Sequence, residues 1–377
     1  MMERTVRYEP FHLERWQSWY EHRVAYNLSE SGVHPLSTGE LMELVGEDVD
    51  PLLASRLGYP PTNGSRKLRS RIASLYPAAT PDQVVVTAGG AEANFVATWQ
   101  LMEPGRPVAV VVPTYMQVPG LVRSLGGETL RVPLVEERGW EPDPGALEEA
   151  VNAGPSFILV TNPNNPLGSI LSTEAMDRIV QAAERSGAWI LADEVYRGAE
   201  LEGTESPSFQ GRYERVLVTG SLSKAYGLPG LRVGWVVAPS KVAEELWGRT
   251  DYTSIAPGAL SDTMAAIALR QDVRPRILER TRSILKNNLP LVEEWARGLG
   301  EPFRLVPPQA GAVAYLGFRS GPTSPKLAER IRVEQDVLVV PGAQFGLDGF
   351  LRIGYGEPPE ALGPALERVG ETLRGAV

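Results

Sequence analysis

Residues 215–235 read RVLVTGSLSKAYGLPGLRVGW. An apolar run rich in valine ends in Ser221 and Ser223, Lys224 follows at once, and Arg232 opens a second apolar run eight residues later. A lysine attacks a carbonyl only in its neutral form, so a working one needs neighbours that lower its pKa and grip a charged handle on its partner. Ser221 and Ser223 offer hydroxyls and Arg232 a fixed forked cation, the groups a phosphate monoester takes within reach of an imine-forming amine. The other reading of Lys224 is a solvated surface charge, and the rest of the chain decides between them.

Short runs of the same kind lie on either side: QVVVT (83–87), PVAVVVP (107–113), SFILVT (156–161), WILAD (189–193), RVLVTGS (215–221) and RVGWVVAP (232–239). Runs this short, rich in Val and Ile and bounded by Gly and Pro, read as buried strands of a largely parallel sheet covered on both faces. Stretches at 147–151 and 173–186 carry helical spacing with polar outer faces. The expectation is an α/β fold whose large doubly wound domain, with a mostly parallel sheet, covers residues 46–270. From 271 to 377 the chain changes character: an arginine-rich helical stretch (276–299), strands AVAYLGF (312–318) and VLVVP (337–341), and a last helix after Glu360. These form a smaller α/β domain, and the N-terminal arm, residues 1–45, returns to pack beside it or reaches toward a partner subunit. Ligands of such sheets gather at the carboxyl ends of the strands. Gly89, Tyr115, Asn165, Asp193 and Lys224 all stand there.

Composition removes several classes of function. A chain of 377 residues exceeds one core and suggests two domains. Hydrophobic content of 43% and charge of 22% are those of a globular protein, and no apolar run approaches the roughly 18 residues that span a bilayer, so no membrane partner is expected. The opening MMERTVRYEPFHLERW lacks the apolar centre of a secretory signal, which predicts a cytoplasmic location. A net charge of −9 argues against nucleic acid. With no cysteine, and with its three histidines (His12, His22, His34) all near the N-terminus, the chain offers neither thiolate nor histidine metal sites and no serine triad.

Asp193 is a carboxylate at the end of an otherwise apolar strand, a costly place unless a cation or strong donor meets it. A protonated pyridine nitrogen would serve; capping of a following helix is the alternative. Tyr196, three residues on, suits a hydrogen bond to a ring hydroxyl, or is a packed core tyrosine. In TNPNNPLG (161–168) two prolines fix the backbone around Asn165, whose amide can donate to a phenolate oxygen. TAGGAEAN (87–94) brings the backbone amides of Gly90 and Ala91 to a helix N-terminus, where an anion binds. Tyr115, in PTY, can stack on a flat heterocycle. In FLRIGYG (350–356) Arg352 is placed for a bidentate pair with a carboxylate, or it points to solvent. Pyridoxal 5'-phosphate (PLP) combines the aldehyde, the pyridine and the phosphate that these groups ask for.

In this order, NPNNPLG, ADEVY, SLSKAYGLPGLRVGW and LRIGYG resemble the fold-type I PLP enzymes of the class I/II aminotransferase family, over about Gly58 to Gly354. The resemblance implies that Lys224 forms the Schiff base with PLP and moves the proton at the substrate Cα. It implies that Asp193 pairs with the pyridine nitrogen, Asn165 and Tyr196 bond the ring oxygen, and Tyr115 stacks on the ring. Ser221, Ser223, Arg232 and the Gly90 and Ala91 amides would hold the phosphate. Arg352, with Asn165 beside it, would take the substrate α-carboxylate. Tyr59, in GYPPTNGSRKLR, matches the family tyrosine that reaches the phosphate in the neighbouring subunit, so a homodimer with shared active sites is implied.

The departure is NLSESGVHPLS (27–37), which sets Glu30 and Ser31 where most relatives have a glycine-proline segment over the substrate. WQSWYEHRVAYNLSESGV (16–33) resembles the branch containing capreomycidine synthase, which acts on a guanidino amino acid; Glu30 would then attract a cationic side chain, or else cap a helix or meet a subunit interface. The implied activity is transamination between an L-amino acid and a 2-oxo acid. A lyase, cyclase or oxidase on the same scaffold stays open, because the pocket selects which bond breaks. A ligand-sensing module of a transcription regulator would need a DNA-binding extension, and residues 1–40 are too short and too acidic and aromatic for one.

Overall fold

The computed structural model describes residues 8–376, so the first seven residues of the N-terminal arm lie outside the described residues. Its large sheet contains β1 (Val84–Thr87), β2 (Val108–Val112), β3 (Thr129–Val135), β4 (Phe157–Thr161), β5 (Trp189–Asp193), β6 (Val216–Ser221) and β7 (Gly234–Val237). The spatial order is β1-β7-β6-β5-β4-β2-β3, with the two-residue strand Glu141–Pro142 on the outer edge. The four central strands β2, β4, β5 and β6 are buried on both faces, apart from Trp189 at the start of β5, and this explains their continuous apolar sequence. Their pairings, and that of β2 with β3, are parallel.

β7 departs from the parallel expectation. It runs antiparallel to both β6 and β1, because the chain between Ser221 and Gly234 holds only one 3₁₀ turn, Pro229–Leu231, and no helix to carry a parallel return. Lys224 therefore sits in a tight connection between adjacent strands. β3, absent from the sequence reading and flanked on its outer side only by the two-residue strand, contains Pro133 and is partly exposed, so its hydrophobic signal is broken.

The smaller sheet joins Phe303–Val306, Val313–Phe318, Phe350–Gly354 and Val340–Pro341, all antiparallel. The helices Arg274–Leu299, Ser324–Gln335 and Pro359–Arg374 pack around it. The run VLVVP is not one strand: Val337 and Leu338 pair in parallel with Tyr26 and Asn27 of the arm, while Val340 and Pro341 pair with the strand carrying Arg352. The arm thus returns to the C-terminal part of the chain, and the Gly354 amide donates to the Leu28 carbonyl at 2.7 Å. Among the described residues no helix is long and apolar enough to cross a membrane.

Two glycines of LRIGYG make this return possible. A Cβ on Gly354 would lie 2.0 Å from the Glu30 carbonyl oxygen, and one on Gly356 would lie 2.2 Å from that of Gly32. Gly354→Ala is accordingly expected to push residues 28–32 off the strand and to cost about 1–3 kcal/mol. Gly298→Ala, on an exposed helix turn with nothing within 4 Å, is expected to be neutral or stabilising by up to about 1 kcal/mol. Denaturant unfolding of the two variants checks the contrast; equal stabilities would refute it.

Candidate active site

At the carboxyl ends of the central strands lies a cavity of 440 Å³. Gly90, Ala91, Tyr115, Asn165, Asp193, Tyr196, Ser221, Ser223, Lys224, Arg232, Arg352, Glu30 and Ser31 all line it. Tyr59 does not: its side chain is 88% exposed, in a surface loop beside residues 256–261.

The floor is a single rung of the sheet, since Asp193 pairs in register with Thr161 on one side and Thr219 on the other. Asp193 is buried, and burial raises the pKa of its carboxyl against the opposing hydrogen bonds. Those bonds come from the Asn94 side-chain amide to Oδ2 at 2.9 Å and from the Val195 backbone N–H to Oδ1 at 3.2 Å. No helix follows, so Asp193 is not a helix cap. The Tyr196 hydroxyl is buried in the same cavity without a hydrogen-bond partner, near the Lys224 and Arg352 cations.

A cradle for an anion forms at the start of helix α1 (Gly90–Leu101), where backbone N–H groups point outward. Gly89, at φ +84°, lets Arg232 approach: a Cβ there would stand 2.4 Å from the guanidinium. A Cβ on Gly90 would meet Val195 at 3.2 Å and Ser221 at 3.5 Å, so the bare backbone leaves the cradle open. Arg232 is held by the Pro229 carbonyl at 3.0 Å.

Arg352 is not a solvent-facing arginine; it is 1% exposed. One Nη donates to Asn165 Oδ1 at 3.0 Å, the other donates to the Ser29 carbonyl, and its Nε has no partner. Burial pushes its pKa down, yet the Phe345 ring lies 5.1 Å from the cation and helps hold it.

Lys224 departs from the lowered pKa that its sequence neighbours suggested. Its Nζ donates to Glu30 Oε1 at 2.7 Å. Burial, the strongest single influence, pushes the lysine down, but the charge of Glu30, the Tyr196 phenol and the hydrogen bond to Glu30 together raise the pKa. Glu30 Oε1 also accepts the backbone N–H of Ser31 at 2.8 Å and of Gly32 at 3.1 Å. Burial works against its ionisation, and the Lys224 cation with these bonds prevails, holding the carboxyl at about 2.

Sequence reasoning did not find Glu14, Gln17 and Glu21, which line the cavity from the helix His12–Tyr20 and the residue after it. Their spacing of three and four places them on one helical face, a signal that HLERWQSWYE did carry. The Tyr115 hydroxyl donates to Glu14 at 2.6 Å, and the Phe11 ring meets Tyr115 edge-on at 4.9 Å. Asn94 and Gln117 were missed as well.

The model of the family described as "Aminotransferase class I and II" matches residues 52–369. The chain belongs to that family. Capreomycidine synthase of Streptomyces vinaceus is 30% identical to it over 371 residues, covering 96% of this chain and 93% of that protein. A PLP-dependent aminotransferase from Streptococcus suis superposes with a TM-score of 0.91 at 31% identity, over 98% of this chain and 99% of that one. The PLP-dependent cyclase OrfR superposes with a TM-score of 0.89 at 27% identity, over the full length of both chains. This family member is thus similar to an aminotransferase and to a cyclase alike.

The Lys224–Glu30 pair carries a pH signature. Glu30 falls from 4.5 to about 2 on folding, so its stabilisation is complete above about 4.5 and is lost as pH falls toward 2. Thermal unfolding of the wild type should therefore drop across that window relative to Glu30→Gln, which lacks the component. Parallel curves for the two proteins between pH 2 and 5 would refute the assignment.

Proposed function

We propose that this chain is a PLP-dependent aminotransferase that exchanges an amino group between an L-amino acid and a 2-oxo acid. The observation that carries the reading is the set of groups facing one cavity: the Lys224 amine, the buried Asp193 carboxylate, the unpartnered Tyr196 hydroxyl, the anion cradle, and Arg352 with a free Nε. These groups fit pyridoxal 5'-phosphate. When bound, that cofactor supplies an electron sink that stabilises negative charge at the substrate Cα.

The chain's own residues bind, orient and move protons. Ser221, Ser223, Arg232 and the Gly90 and Ala91 amides would hold the phosphate. Asp193 would keep a proton on the pyridine nitrogen, and its burial would strengthen that charge-assisted bond. Asn165 and Tyr196 would donate to the ring oxygen, and Tyr115 would pack against the ring. Arg352 grips the substrate α-carboxylate, which orients Cα toward Lys224, and Lys224 takes and returns the Cα proton as the general base.

A second reading, of a cyclase, lyase or oxidase acting on a cationic amino acid such as a guanidino compound, is favoured by one observation. Glu30 stands 2.7 Å from the lysine amine and shares the cavity with Glu14 and Glu21, so it is placed to meet a positive side chain. The similarity to capreomycidine synthase and to the cyclase OrfR points the same way.

We further propose a homodimer in the cytoplasm. Tyr59, Leu57, Tyr252 and Ile255 are exposed by 88%, 79%, 82% and 50%, apolar surface that a partner subunit would cover. Across a two-fold axis Tyr59 would reach the partner's phosphate site.

Lys224→Ala should abolish both the absorbance of lysine-bound cofactor and turnover; normal activity would sink the proposal. Single-turnover reaction of the wild type with amino acids, arginine and lysine included, separates the two readings. Conversion of the cofactor to its pyridoxamine form supports transamination, and product release without that conversion supports the second. For the dimer, Tyr59→Phe is expected to weaken cofactor binding about tenfold. Mixing Tyr59→Phe with inactive Lys224→Ala chains should restore tight binding in hybrid sites, whereas no restoration would refute the sharing.

A further inference from the structure

Asp193 and the anion cradle lie on different elements, a strand end and a helix start, yet one ligand has to be met by both. A single side chain bridges them. Asn94 is 3% exposed on α1 and has every polar group of its amide bonded. Its Oδ1 accepts the Thr219 hydroxyl at 2.8 Å, and its Nδ2 donates to Asp193 Oδ2 at 2.9 Å and to Gln117 Oε1 at 3.4 Å. Gln117 in turn donates to the Ala91 carbonyl at 2.8 Å, within the turn that exposes the cradle amides.

We propose that Asn94 is a positioning residue that ties the Asp193 carboxylate to the anion-binding turn, so that the pyridine end and the phosphate end of the cofactor are received at one set spacing. The proposal rests on the reading that this chain binds pyridoxal 5'-phosphate. The direction of the amide is dictated by its neighbours. Reversed, it would aim its oxygen at the Asp193 carboxylate, two acceptors facing one another in a buried site. The acceptor-only Asp193 carboxylate fixes the direction, and Thr219, in register with Asp193, supports it by donating to Oδ1. The bond to Asp193 favours its ionised form against burial, which is the form a protonated pyridine requires.

Asn94→Leu keeps the volume and removes the amide, while Thr219→Val keeps the shape and removes the hydroxyl that orients it. The wild-type chain is measured first: failure to bind pyridoxal 5'-phosphate on Lys224 would overturn the underlying function, whatever the variants do. Given that binding, Asn94 is tested by three differences from wild type: the dissociation constant for pyridoxal 5'-phosphate, the pH midpoint of the bound cofactor's absorbance, and the unfolding temperature of the cofactor-free protein. Asn94→Leu is expected to bind at least about tenfold more weakly, since it loses a hydrogen bond to a charged group. Its absorbance midpoint should move, a change that a merely looser fold does not produce, and its cofactor-free unfolding temperature should fall because a buried carboxylate loses a donor. Thr219→Val should shift the first two readouts in the same direction by less. Wild-type affinity and midpoint in Asn94→Leu would overturn the proposal, as would weakened binding with an unmoved midpoint. If Asn94→Leu does not fold, Thr219→Val decides alone, and wild-type values for both readouts would overturn the assignment.

Discussion

The carboxylate of Asp193 is the group around which the architecture is organised. A buried carboxylate without compensation is expensive, and breaking a buried charged pair costs about 3–5 kcal/mol. The fold answers with donors from two directions, Val195 in the following turn and Asn94 from the helix above, and leaves the cavity open in front. Because Thr161, Asp193 and Thr219 occupy one rung of parallel strands, the carboxylate is held by backbone pairing on both sides and cannot swing to solvent. Parallel registry therefore sets the electrostatics of the site.

The second organising feature is the return of the arm. Three cations, Lys224, Arg232 and Arg352, share the cavity with the carboxylates of Asp193, Glu14, Glu21 and Glu30. Glu30 comes within reach of Lys224 because glycines 354 and 356 let the arm backbone lie against the strand that carries Arg352. The same approach brings the Ser29 carbonyl onto the Arg352 guanidinium. Lys224 and Arg352 are thus each met by a group of the arm.

Much of the site was legible in the sequence. Lys224, Asp193, Asn165 and Arg352 each stand in a short motif where an apolar strand gives way to a polar residue, and a charge in that position has few purely structural uses. The central strands were legible because burial on both faces leaves a continuous apolar run. β3 was not, because its place near the sheet edge leaves it partly exposed and admits a proline. Nor were Asn94 and Gln117 found, since an amide on an ordinary helix acquires a role only when a partner from a distant strand meets it.

By itself the sequence determined the alternation of strands and helices, the order of the motifs and the residue types that line the cavity. These follow from local periodicity and from chemistry carried within a few residues. The tertiary structure decided the reversal of β7, the splitting of VLVVP between two partners, the burial of Arg352 and the raised pKa of Lys224. Each of these depends on contacts between residues far apart in the chain. Glu30 and Lys224 are 194 residues apart, and only the folded arm brings their charges to 2.7 Å.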